Sequence, residues 1–413
     1  MQGEYPVRSF LCRGFVVITA RTDRNFTVSD FYLAKSLAYI DTIYSADSIE
    51  WCPFEGYQDI FVCGTYQIVK PEEQPKSTDN IERSDSEDED DEIDAGPSKP
   101  TQRVGRLLVF QVGEDDSLEE IQRIETPAIL DTRWAPHLDN GKPTLGVGDA
   151  KGHVTLYALN PQTKRLEEVE PIQVDDELIL CLSLDWSNRL NPSAPSTIIT
   201  SLSNGNLSHL TPTQTGWEIE SSWKAHDFEP WITSFDNWDS NTVWSGGDDC
   251  KLKRWDLRET FRPTLVNKNF DAGVTTITSS PHTEHLLAVG SYDENLRIFD
   301  TRSPKEPIET IPLGGGIWRT RFHPSSKREN DILNACMHDN FKIVRLTDNI
   351  LDDAQQEGKE DEQKWEVVKT FEDHTSLAYG VDWSRLPSRS DSDEDSLIAS
   401  CSFYDHSMHL WRG

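Results

Sequence analysis

The stretch Trp244–Asp256 (WSGGDDCKLKRWD) constrains the fold more than any other part of the chain. An alternating apolar run ends at Ser245-Gly246-Gly247, Asp248-Asp249 makes a tight turn, and a second alternating run closes on Trp255-Asp256. Two such runs joined by a Gly/Asp turn predict a β-hairpin with one buried face. A lone hairpin is marginal in water, so its meaning depends on recurrence. The pattern returns as LLAVGSY followed by DENLRIFD (Asp293 to Asp300), and as LIASCSF with DHSMHLW (Asp405 to Trp411). In each copy the turn aspartate stands six positions before the closing aromatic: Asp249/Trp255, Asp293/Phe299 and Asp405/Trp411.

That spacing resembles the WD-repeat family, whose repeats form the four-stranded blades of a β-propeller. A second signature, apolar–x–aromatic–x–breaker, marks the innermost strands. It reads IEWCP (Ile49 to Pro53), TRWAP (Thr132 to Pro136), LDWSN (Leu184 to Asn188), TRFHP (Thr320 to Pro324) and VDWSR (Val381 to Arg385). ITSFD at Phe235 and ITSSP (Ile277 to Pro281) are weaker copies. The expected fold is an all-β, seven-bladed WD40 β-propeller with blades starting near Asp47, Ile129, Leu178, Trp231, Val274, Ile317 and Ala378. SLAYIDTIY (Ser36 to Tyr44) has no repeat of its own, and the last repeat stops at Gly413 without an outer strand. An N-terminal strand completing the last blade resolves both, leaving residues 1–35 as an extension and 36–413 as the propeller.

Three acidic segments interrupt the ring: 71–100, with SDSEDEDDEID at its centre, then 352–362 and 388–396. Dense like charge without aromatics predicts disordered loops. The first separates FVCGTYQIV (Phe61 to Val69) from GRLLVFQV (Gly105 to Val112), the expected arms of one hairpin. With a formal net charge of -32, the chain repels phosphate backbones and anionic lipid. Neither nucleic acid nor a membrane is expected as a partner; a cationic protein or ligand is. The 7 cysteines are odd in number and include no Cys-x-x-Cys pair, which suits reduced thiols in a cytoplasmic or nuclear protein, here read as a monomer. Phe10 to Thr19 is short and lacks a cleavage site, so it is not read as a signal peptide.

In a propeller the turns between second and third strands and the loops entering each first strand gather on one face, around the channel mouth. Function is expected there. GGGIWR (Gly314 to Arg319) and CMHDNFK (Cys336 to Lys342) belong to blade six, HTSLAYG (His374 to Gly380) and CSFYDHS (Cys401 to Ser407) to blade seven, and CGTYQ (Cys63 to Gln67) to blade one. One sector thereby collects His338, His374, His406, Asp339, Asp405, Trp318, Tyr66, Tyr379, Tyr404 and a triple glycine. Imidazole with carboxylate equips a general base near neutral pH, and a glycine run can aim amides at an oxyanion. Structural readings stand beside these. Asp339 and Asp405 hold the turn-aspartate place, His374 sits where a histidine braces a blade (as His226 does), and the glycines also suit a tight loop. No metal-ligand spacing, phosphate loop or dinucleotide fingerprint is present, so neither metal nor cofactor is expected. Motif logic alone leaves an interaction scaffold.

SADSIEWCP with FVCGTYQI, GGGIWR, ACMHDNFKI, SLAYGVDW and ASCSFYDHSMHLW together resemble the WD-repeat diphthine methyl ester hydrolases (diphthine methyltransferases) of the diphthamide pathway. The resemblance runs from about Ser45 to Trp411. It implies removal of the methyl ester from methylated diphthine, the modified histidine of translation elongation factor 2. On that expectation His374 or His338 is the general base, acting on water or on Ser376, with Asp405 nearby and backbone donors around Gly315 and Gly316. The quaternary ammonium of diphthine favours aromatic faces, which Trp318, Tyr379 and Tyr404 offer. Tyr66, Asp339 and His406 complete the substrate-binding set. The alternative is a non-catalytic adaptor that binds elongation factor 2 or a pathway enzyme.

Overall fold

A computed structural model describes residues 32–69, 102–348, 350–353, 363–387 and 395–413. Seven sheets, antiparallel but for one edge strand, are ordered from an innermost to an outermost strand. The innermost strands are Ser45–Trp51, Ile129–Trp134, Cys181–Trp186, Ile232–Phe235, Val274–Ser279, Arg319–Phe322 and Ala378–Trp383. They coincide with the seven copies of the aromatic signature. Apolar strand faces leave no solvated side: in Cys181–Trp186 and Leu397–Ser402 every residue is buried. The core accordingly lies between blades, where sheet packs on sheet. Trp51, Phe61 and Phe110 of blade one meet Leu397, Met408 and Leu410 of blade seven in one cluster. Phe341 and Phe371 of blade six meet Trp383 and Trp411 of blade seven in another.

The ring is closed as the sequence predicts. Ala38–Asp41 pairs antiparallel with the strand Ser407–Arg412, in the register Ala38↔Leu410 to Asp41↔Ser407, and so supplies the outermost strand of blade seven. Leu33–Ala34, ahead of residue 36, adds a fifth and parallel strand to blade six beside Trp365–Phe371. The long hairpin of blade one pairs Ile60–Val69 with Gln102–Val112, down to Val69↔Gln102. The acidic segment 71–100 therefore interrupts that hairpin at its turn. It lies outside the described residues, as do the first 31 residues, 354–362 and 388–394.

Carboxylates on the inner strands lock several neighbouring blades together. Asp382 accepts a hydrogen bond from the Trp51 amide (2.9 Å), Glu50 from the Trp134 amide (2.8 Å), and Asp185 from the Phe235 amide (2.8 Å). Lower in the channel, Arg319 of blade six reaches Asp131 of blade two at 3.1 Å, an ion pair that spans the bore. Among the described residues no helix is long and apolar enough to cross a membrane.

Candidate functional site at the channel mouth

Blade four carries the reference geometry for a bracing histidine. His226 is buried, with Nδ1 2.8 Å from Asp249 and Nε2 2.7 Å from the Ser245 hydroxyl. The Trp255 indole donates to the same hydroxyl at 2.9 Å. Blade seven repeats it. His374 is buried, with Nε2 2.8 Å from Ser400, and the Trp411 indole donates to Ser400 at 3.0 Å. Its Nδ1 meets the Ser407 and Ser402 hydroxyls at 2.6 and 3.0 Å. Burial first, with His409 adding to it and Asp405 opposing, pushes the His374 imidazole down to about 3. Both nitrogens are thus occupied in a site that disfavours charge. The geometry assigns His374 the bracing role and leaves it poorly suited to taking a proton from substrate or water.

Asp405 likewise works within the turn. One carboxylate oxygen accepts from the Thr375 amide (2.9 Å) and hydroxyl (3.1 Å), the other from the Ser407 amide (3.1 Å) and the Ser402 hydroxyl. Burial acts to raise its carboxyl, but these bonds outweigh it and hold the group down at about 2. Asp339 pairs with Lys342 at 2.6 Å. The glycine run packs against that same turn. Gly314 has φ +85, open to glycine at no cost, and a Cβ on Gly315 would collide with the Cys336 carbonyl. For the amides of Gly314, Gly315 and Gly316 no acceptor appears among the described residues.

Four of the expected residues share one cleft. His338, His374, Ser376 and Tyr404 line a space of about 500 Å³ between blades six and seven, with Asn340, Thr375 and Leu377. The Ala378 amide donates to the Met337 carbonyl at 2.9 Å, tying the two turns together. His338 is exposed, Tyr404 is 68% exposed, and Ser376 Oγ accepts from the Tyr404 amide at 3.1 Å. His406 has φ 54, and its carbonyl receives the Thr42 amide and hydroxyl at 2.9 and 3.0 Å. It anchors the closing segment.

The aromatic residues form a continuous chain beside the cleft. Trp318 packs on Tyr379 (centroids 4.6 Å), Tyr379 on Phe403 (4.9 Å) and Phe403 on Tyr404 (5.0 Å). Trp231 and Tyr292 flank Trp318 on its other side at 5.8 and 6.1 Å, and Tyr66 meets Phe403 at 6.1 Å. The Tyr66 hydroxyl takes a hydrogen bond from Arg103 at 2.8 Å. Sequence reasoning named four of these rings and missed Trp231, Tyr292 and Phe403. Among the described residues, no group of three or more His, Cys, Asp or Glu side chains is arranged to hold a metal ion.

Residues 263–300 match the WD40 family (WD domain, G-beta repeat), a span from the outer strand of blade four through the third strand of blade five. A mouse diphthine methyltransferase is 38% identical over 363 residues, covering 85% of this chain and 70% of the mouse protein. This chain belongs to the diphthine methyltransferase family. Other members are 37% identical (human, 86% of this chain and 76% of the relative) and 34% identical (a Dictyostelium discoideum homolog, 92% and 99%). The family's propeller is shared more widely. A chain from a crystal structure of the mitotic checkpoint complex superposes with a TM-score of 0.62 at 14% identity, over 97% of this chain and 99% of its own.

Proposed function

We propose that this protein hydrolyses the methyl ester of methylated diphthine on translation elongation factor 2, within diphthamide biosynthesis. Family membership supports the substrate class. The observation that carries the reading is the cleft that sets an exposed imidazole, His338, opposite Ser376 and Tyr404 and next to a row of aromatic faces. With His374 engaged by three serines, His338 is the imidazole of the cleft with no hydrogen bond to a described residue. It takes a proton from water as the oxygen adds to the ester carbonyl. The tetrahedral oxyanion then faces the amides of Gly315 and Gly316, whose N–H groups have no acceptor of their own. Collapse expels methoxide, which leaves as methanol with the proton from His338, and the side chain keeps a carboxylate. The acidic character of the chain, net -32, suits a cationic substrate protein.

The adaptor alternative draws on one observation. Every serine hydroxyl within hydrogen-bond distance of His374 is part of the blade-seven brace, so that imidazole activates no serine in the cleft. Methanol release from methyl-esterified elongation factor separates the two readings. Purified protein is expected to release methanol, and His338→Ala to lower kcat/KM about 100-fold or more at unchanged thermal stability. No turnover by folded wild-type protein would establish the adaptor; full turnover by His338→Ala would remove that residue from the mechanism.

A further inference from the structure

Each blade places one residue, at or just before the start of its inner strand, at the rim of the channel. In five blades the pairing of first and second strands slips at this position, as between Ala46 and Ser48, Ile129 and Asp131, and Ala378 and Val381. Such a bulge re-aims the side chain it carries. Aligned on the aromatic of each signature, the rim residues are Asp47, Leu130, Leu182, Trp231, Thr275, Trp318 and Tyr379. Three are aromatic and adjoin one another. One carries a carboxyl.

That residue, Asp47, is 5% exposed, and its Oδ1 accepts no hydrogen bond. The Trp318 indole N–H also lacks a partner; it lies near enough to Asp47 to favour the ionised carboxylate but falls short of hydrogen-bond geometry. The phenols of Tyr292 and Tyr379 feel the same carboxylate, and burial keeps both phenols protonated. One residue deeper, Arg319 and Asp131 join across the bore at 3.1 Å and close the floor. Asp131 engages that arginine, with Arg133 also at 3.9 Å, and Asp47 forms no ion pair with a described residue. An unpartnered buried carboxylate under a canopy of rings is costly in the empty protein. Burial pushes its carboxyl up to about 8, with Arg319 opposing and Asp131 reinforcing, so near neutral pH the empty protein holds it largely protonated and a cation seated above it favours the carboxylate.

We propose that the cup formed by the rings of Trp231, Tyr292, Trp318 and Tyr379 over the Arg319–Asp131 pair, with the Asp47 carboxyl ready to ionise on binding, is a subsite for a quaternary ammonium group. The proposal rests on the esterase reading for its natural occupant, the cationic head of the esterified side chain. A quaternary ammonium needs no hydrogen bonds, which suits rings that offer faces and a carboxylate without donors around it. The aromatic chain through Phe403 to Tyr404 then leads from the cup to the cleft that holds His338.

Choline and its uncharged carbon isostere, 3,3-dimethyl-1-butanol, test this in the full-length protein, with tryptophan fluorescence as the binding readout. Choline is expected to bind about tenfold or more tightly than the isostere. Asp47→Asn, checked for folding by its thermal transition, is expected to weaken choline about tenfold and leave the isostere unchanged. Choline is also expected to compete with the methyl-ester substrate. Equal affinity for the two probes, undiminished choline binding by Asp47→Asn, or choline binding without competition would each overturn the cup. The two readings fail separately. Choline binding by a protein that releases no methanol removes the esterase and leaves the charged cup, whereas methanol release with unchanged KM in Asp47→Asn does the reverse.

Discussion

Blades four and seven carry the same four-residue brace, and they differ by one residue of turn. From serine to aspartate the count is four positions in blade four (Ser245, Asp249) and five in blade seven (Ser400, Asp405), while aspartate to tryptophan is six in both. In blade four the aspartate reaches His226 directly at 2.8 Å. In blade seven it does not. Ser402 and Ser407 stand between, taking the imidazole at 3.0 and 2.6 Å, and Asp405 turns to the Thr375 amide and hydroxyl instead. The longer turn also carries Tyr404 out to 68% exposure at the edge of the cleft. One inserted residue therefore exchanges a charge-assisted bond in the interior for an aromatic side chain at the mouth. The same hardware that is enclosed in one blade becomes, in another, the wall of a cleft.

The sharpest way to break this comparison is to remove each histidine. His226→Ala and His374→Ala are both expected to lose about 2–5 kcal/mol in urea denaturation, because each strands buried hydroxyls and an indole N–H. A His374→Ala protein as stable as wild type would refute the brace. The next largest effect is pH dependence. The His374 imidazole titrates near 3 when folded and near 6.5 when unfolded, so the unfolded chain binds the extra proton between those values. Stability is full above about pH 6.5 and falls by about 1.4 kcal/mol per unit as pH drops through the window. Thermal transitions from pH 7 to 4 should decline less steeply for His374→Gln than for wild type. The smallest effect should sharpen the comparison. Asp249→Asn loses a direct ionic hydrogen bond, which Lys251 and Lys253 also share at 3.4 and 3.5 Å, and should cost about 2 kcal/mol. Asp405→Asn should cost about 1 kcal/mol, since the serines still hold the imidazole. Equal losses in the two variants would mean that the inserted residue changes nothing energetically.

The sequence was legible wherever a residue's neighbours in space repeat along the chain. The inner-strand aromatics Trp51, Trp134, Trp186, Phe235, Phe322 and Trp383 face the same inter-blade packing each time, so one pattern located all of them. Even blade five, where Ser279 replaces the aromatic, was found by its spacing. The seam was legible by elimination: one strand-like stretch without a repeat at Ser36 to Tyr44, which pairs over Ala38–Asp41, and one blade short of a strand. The site was harder. His374 offered two readings because a brace and a base need the same residue type. The three serine hydroxyls around its nitrogens decide between them, and two of these serines lie beyond the usual brace positions. Asp47 was hidden among 72 acidic residues. Its signal is positional, and appears only when the seven inner strands are aligned and one rim position proves to carry a carboxyl.

The pairing of Ala38–Asp41 with Ser407–Leu410 joins the two ends of the described fold, and this sets an order on biosynthesis. The strand at residues 38–41 must stay unpaired until residues 407–410 have followed it off the ribosome. Until then both flanks of the unfinished ring offer open sheet edges, the kind of surface that recruits other chains. Slower translation of the final blade would lengthen that exposure. The weak point in this protein's life is thus the interval before the circle closes.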